Sequence, residues 1–105
     1  MARLIWTEPA LQDLDAIADY IALDNSEAAR QLVQRVLDHV EQLADYPESG
    51  SRLPEWRSSR YRQIVEPPCR IFYRHEGDTV LILHVLRGER RLRRTRLTRR
   101  KISHQ

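Results

Sequence analysis

Thr79-Val80-Leu81-Ile82-Leu83-His84-Val85-Leu86 is a stretch in which β-branched and other apolar residues follow one another without alternating with polar ones. A strand that reads this way is covered on both faces. Two helical patterns precede it, enough to cover one face of a small sheet. The other face must be covered by the chain's own tail or by another molecule, and that second cover is the natural place for function.

Upstream of this strand, about Arg60 to Glu66 and about Cys69 to His75 read as two more strands. Pro67-Pro68 and Glu76-Gly77-Asp78 are connections short enough for hairpins, so the three form an antiparallel meander. In the middle strand Cys69, Ile71 and Tyr73 point one way and Arg70, Phe72 and Arg74 the other. Two arginines flanking a phenylalanine predict a partly exposed, cationic face.

Further upstream the period changes to that of helices. Arg3 to Trp6 is a short apolar opening, expected as an edge strand of the same sheet. Thr7 stands before Pro9 as an N-cap followed by proline in the first turn. Ala10, Leu14, Ile17 and Ile21 then mark one buried face, with Asp13, Asp15 and Asp19 mostly off it. Asp24-Asn25-Ser26 breaks the pattern, and Asp24 with Glu27 predicts a capping-box-like start to a second helix. Its stripe runs through Leu32, Val36, Val40 and Leu43, and the short connection makes the two helices an antiparallel hairpin. From Tyr46 to Ser59 neither period holds; this is a loop, with Leu53 and Trp56 as its expected anchors.

The fold class is therefore α+β: an N-terminal helical hairpin on a small, mostly antiparallel sheet, with a basic C-terminal tail. The 105 residues form a single domain, 1–105, long enough to bury roughly two thirds of the unfolded chain's surface. Residues beyond about 98 are expected to fray. Cys69 is the only cysteine, which fits a reducing cytoplasm, and no apolar run reaches membrane-spanning length. Residues 1–48 carry ten acids against three arginines, whereas residues 87–101 carry eight arginines and Lys101 against Glu89 alone. An acidic scaffold presenting a basic working end suits an acidic protein segment or nucleic acid. No aromatic residue is interleaved among those arginines, so base stacking on single strands is unsupported.

Several local motifs, in this order and spacing, resemble the RelE/ParE superfamily of bacterial toxins from type II toxin-antitoxin pairs, and the ParE branch most closely. They are Trp6-Thr7-Glu8-Pro9-Ala10 leading to Asp13-Leu14, Tyr20-Ile21-Ala22 with Asp24-Asn25, Pro47-Glu48-Ser49-Gly50-Ser51-Arg52 with Pro54-Glu55, Arg70-Ile71-Phe72-Tyr73, and Val85-Leu86-Arg87-Gly88-Glu89-Arg90. The resemblance implies a toxin neutralised by a wrapped, ParD-like antitoxin in a toxin-antitoxin hetero-oligomer. Members resembling ParE poison DNA gyrase; members resembling RelE cut messenger RNA in the ribosome. One fold hosts both activities, so the target must be argued from the site.

RNA cleavage requires a base for the 2'-hydroxyl, an acid for the leaving oxygen and cations for the phosphoryl group. Arg70, Tyr73, His84, Arg87 and Arg90 are the residues available for it. The C-terminal tyrosine of the RelE branch is absent, because no tyrosine follows Tyr73. That favours a gyrase poison without covalent chemistry of its own, contacting gyrase, and gyrase-bound DNA, through Arg87, Arg90, Arg91, Arg93, Arg94 and Arg96. Arg70, Phe72, Arg74 and Leu92 are the expected antitoxin contacts. A ribosome-dependent ribonuclease and a non-toxic antitoxin-binding module are the alternatives. His39, His75 and His104 have no metal-ligand spacing with Cys69 or each other, and neither a metal nor a cofactor is expected.

Overall fold

The computed structural model describes residues 1–88 and 92–98. The expected fraying beyond residue 98 lies outside them, as do Arg90 and Arg91.

The chain runs β1 (Arg3–Trp6), α1 (Glu8–Ala22), α2 (Ser26–Glu41), β2 (Ser51–Arg52), β3 (Arg62–Glu66), β4 (Cys69–Glu76), β5 (Thr79–Arg87) and α3 (Thr95–Thr98), with single 3-10 turns at Gln42–Ala44 and Pro54–Trp56. Both helices begin where local chemistry places them. The Thr7 hydroxyl accepts from the Ala10 N–H at 3.4 Å, with Pro9 in the first turn. Asn25, rather than Asp24, caps α2: its side chain accepts from the Ala28 N–H at 3.0 Å. Glu27 turns instead to Arg30 and Gln31 on the helix surface.

The five strands lie in the order β1-β5-β4-β3-β2, antiparallel except for β1 beside β5. Between β4 and β5 the register steps: Phe72 pairs with His84 but Tyr73 pairs with Ile82, so Leu83 is an extra residue. Such a bulge lets two successive residues lean to the same face. Leu83 packs in the cluster containing Phe72, and the His84 ring stacks on Phe72 at 5.6 Å.

The sheet carries a core on each face. The larger lies under the helices and joins Leu14, Leu32, Val36 and Val40 to Ile71, Tyr73, Val80 and Ile82. On the other face Leu53, Tyr61, Phe72, Leu83, Leu92 and Leu97 form a second cluster. The second cover that β5 demands is thus supplied by the chain itself, from the 46–59 loop and the C-terminal segment. Leu97 sits fully buried on the short α3.

Candidate functional site

The site arises from how β1 ends. Its last pair is Trp6 with Ile82, after which the Thr7 N–H and hydroxyl both donate to the Ile82 carbonyl, at 3.1 and 2.7 Å. The chain then turns into α1, leaving the rest of β5 without a strand on that side among the described residues. Asp13, on α1, fills part of the vacancy. Its Oδ2 accepts from the Val85 N–H at 3.0 Å and meets His84 Nδ1 at 2.5 Å, while Oδ1 accepts from Arg96 at 3.0 Å. Three distant segments are tied through one carboxylate.

Two groups approach His84 Nδ1, Asp13 and the Arg96 guanidinium, the latter at 3.1 Å. A carboxylate can only accept and a guanidinium can only donate. The shorter contact wins: Nδ1 carries the proton toward Asp13, and Arg96 bonds the carboxylate rather than the ring. Burial opposes the charge on Asp13, but the hydrogen bonds from His84 and Val85, with the charges of His84 and Arg96, outweigh it and lower its pKa.

Beside this cluster a groove of about 230 Å³ opens between α1 and β5, lined by Asp13, Ile17, Tyr20, His84, Arg87 and Arg96 among others. The Arg87 guanidinium lies 4.9 Å from the Tyr20 ring centroid, and its Nε is buried without a hydrogen-bond partner among the described residues.

The face around Phe72 is built differently from expectation. Phe72 is fully buried and Arg74 and Leu92 are nearly so, which corrects the idea of a partly exposed cationic face awaiting a partner. The loop and tail anchors close over it because the apolar area they remove from water outweighs the cost of ordering them. Arg70 is held along its rim: it bonds Glu55 at 2.8 Å and Gln63 at 2.8 Å and lies 4.8 Å over the Phe72 ring. The hydrogen bond from Arg70 lowers the Glu55 pKa. Arg94 stacks 4.5 Å over Trp56 and donates to the Glu55 carbonyl at 3.0 Å. Among the arginines expected to touch the target, Arg94 and Arg96 therefore pin the tail, Arg93 is exposed with no such tie among the described residues, and Arg87 faces the groove.

Tyr73 and His84 are not brought together. Tyr73 is buried in the helix-side core, where its hydroxyl donates to the Pro47 carbonyl at 2.8 Å and accepts from the Gly50 N–H at 2.9 Å; His84 stacks on Phe72 of the other face. Burial raises the Tyr73 pKa, and likewise that of the Cys69 thiol. No group of three His, Cys, Asp or Glu among the described residues could hold a metal ion.

Asp13 is the residue that reading the sequence missed. It stands three residues after Ala10 and four before Ile17, at the border of the buried stripe of α1. An acid there, with an unexplained histidine in the buried strand, was the available signal.

This architecture recurs in known proteins. The family model described as "ParE toxin of type II toxin-antitoxin system, parDE" matches residues 4–92. Y4kP of Sinorhizobium fredii (strain NBRC 101917 / NGR234) is 38% identical over 80 residues, covering 76% of this chain and 82% of that protein. Toxin RelE2 of Caulobacter vibrioides (strain ATCC 19089 / CIP 103742 / CB 15) is 34% identical over 87 residues, covering 83% and 92%. A chain of the solved "Chromosomal ParDE TA system from P. aeruginosa" superposes with a TM-score of 0.70 at 33% identity, covering 85% of this chain and 98% of that one. The chain belongs to the ParE toxin family of type II toxin-antitoxin systems. It is a toxin of a ParDE-like pair, with an antitoxin as its partner. No helix among the described residues is long and apolar enough to cross a membrane.

Proposed function

We propose that this toxin poisons DNA gyrase by protein–protein contact, without covalent chemistry of its own. The observation that carries the reading is the separation of Tyr73 from His84: the only tyrosine–histidine pair suggested for acid–base work is divided between the two faces of the sheet, with the phenol already hydrogen-bonded twice. General acid–base catalysis needs both groups within reach of one substrate. The contact with gyrase, and with DNA at its surface, falls to the basic C-terminal segment. Arg94 and Arg96 orient that segment through Trp56 and Asp13 and leave Arg93 facing outward. Arg90 and Arg91, outside the described residues, belong to the same proposal on charge alone.

The test is a supercoiling assay with purified toxin, gyrase, ATP and relaxed plasmid, scored after detergent and protease. Linear DNA that requires both proteins is the expected product, and Arg93→Ala combined with Arg90→Ala and Arg91→Ala should abolish it. Folded toxin that gives no linear DNA but cuts messenger RNA on ribosomes would replace this reading with the RelE-like one, which the 34% identity to RelE2 keeps in view. Inactivity in both assays would leave an antitoxin-binding module that is not toxic.

A further inference from the structure

We infer that the sheet face opposite α1 and α2 carries a phosphate site at its β4–β5 hairpin end: Arg60 takes one phosphate of a DNA duplex, and the buried guanidinium of Arg74 supplies charge beneath it. The choice of DNA rests on the reading that places DNA at the gyrase surface; the geometry of the site stands apart from that reading.

Loop and tail close the centre of this face, but its hairpin end is built on a shared carboxylate. Arg74 lies on β4 opposite Leu81 of β5, on the face away from Tyr73, and only 8% of it is exposed. Its Nε is buried without a hydrogen-bond partner among the described residues, and its ion pair is with Glu76 Oε2 at 3.2 Å. Arg60, just ahead of β3, approaches the same oxygen at 3.4 Å. Two guanidinium groups thus share one carboxylate oxygen, which leaves a positive charge uncompensated among the described residues. A buried cation is costly unless fully paired, and in low dielectric its field acts more strongly than in water. A second anion, seated on Arg60, lowers that cost.

The surroundings decide which anion it is. Residues 52–62 carry four arginines against Glu55 alone, and Arg70 engages Glu55. Arg94 lies over Trp56, and Trp56 lies 5.4 Å from Tyr61, so a continuous path joins the basic C-terminal segment to Arg60. Charges spaced along a surface match the repeating phosphates of a backbone better than they match one isolated carboxylate. The Arg60 side chain is 65% exposed, too open for a small molecule, which must bury most of its own surface. Single strands fit less well too. The Trp56 ring is taken by Arg94 and Tyr61 is buried, so neither is offered to an unpaired base. A duplex, gripped by its phosphates, needs no such ring.

The experiment follows binding of full-length toxin to a fluorescent duplex of about 20 base pairs by anisotropy across a salt series. Arg60→Gln should weaken binding at low salt and reduce the slope of log K against log salt by about 0.9, one phosphate's share. Arg30→Gln, on α2, makes the same change of net charge and should leave the slope unchanged. Glu76→Gln releases both guanidinium groups and should tighten binding, whereas Glu41→Gln, at the end of α2, should not. Arg74→Gln should weaken binding with Arg60 still in place; if it does not fold, the Arg60 and Glu76 variants decide. Equal slopes for Arg60→Gln and Arg30→Gln overturn the site, as does Glu76→Gln binding no tighter than Glu41→Gln, or wild-type toxin that does not bind the duplex. Tighter binding of single-stranded RNA of the same length, lost in Arg60→Gln, overturns the assignment to DNA. Gyrase-dependent linear DNA reports on the poisoning reading separately: that product can be missing while the salt slopes hold, and it can persist while they fail.

Discussion

Asp13 and His84, 71 residues apart in the chain, meet through Asp13 Oδ2 and His84 Nδ1 at 2.5 Å. The same oxygen accepts the Val85 N–H, and the other holds Arg96. One carboxylate thus fixes α1, β5 and the C-terminal segment, and it also forms the base of the groove. Losing it affects both stability and the surface offered to partners.

Asp13→Asn should lower stability by about 2 kcal/mol at neutral pH, the scale of hydrogen bonds to a charged group. The pKa of Asp13 is lowered in the folded protein from its ordinary value of 3.8. A carboxylate whose folded pKa is depressed contributes its stability in full above the unfolded value and loses it as pH falls through the folded one. Urea titrations of both proteins should therefore differ by a constant amount down to about pH 5 and converge below about pH 4. A gap that persists undiminished at pH 3 would show that the charge on Asp13 is not what stabilises the cluster.

Gly50→Ala tests the close approach of the loop to Tyr73. A Cβ there would sit 2.6 Å from both the Gln63 carbonyl oxygen and the Tyr73 hydroxyl. Backbone must shift, at a cost of about 2 kcal/mol or more. Tyr73→Phe, which loses the bonds to Pro47 and Gly50, should cost about 1–2 kcal/mol. Toxicity normalised to folded protein should not change in Tyr73→Phe, and a loss of more than tenfold would return Tyr73 to the catalytic candidates.

Phe72→Ala separates a core residue from a surface anchor. Phe72 is fully buried among Leu53, Leu83 and Leu97, so removing the ring should cost about 3–5 kcal/mol in chemical denaturation. A loss below about 1 kcal/mol would mean that this face opens readily in solution and is available to a partner after all.

The C-terminal segment is held by Leu97 inside and by Arg94 on Trp56 outside. Leu97→Ala should cost about 2–5 kcal/mol, whereas Trp56→Leu, which loses a cation–π contact at a half-buried site, should cost about 0.5–1 kcal/mol from that contact. Trypsin cleavage after Arg93, Arg94 and Arg96 should accelerate in Leu97→Ala far more than in Trp56→Leu. Equal rates in the two variants would show that the buried leucine is not the principal anchor.

Local patterns in the sequence determined the elements of this protein. The helical spacing of α1 and α2, the caps at Thr7 and beside Ser26, the two hairpin turns and the unbroken apolar run of β5 each depend on neighbours within a few residues, where periodicity and turn chemistry act. They were sufficient to specify a helical hairpin on a small, mostly antiparallel sheet. The demand of β5 for cover on both faces was legible too, but its supplier was not. Whether Phe72 meets the chain's own Leu53 and Leu97 or a partner is decided by long-range closure of the loop and the tail, which no local spacing encodes. The bulge at Leu83 is equally tertiary: it turns His84 onto Phe72 while Tyr73 stays under the helices, and so divides residues that simple alternation leaves free to cooperate. The groove follows from the shortness of β1 together with the reach of Asp13, a relation between segments far apart in the chain. Charge and motif identify what kind of protein this is; only the packing decides which of its arginines are held and which are offered.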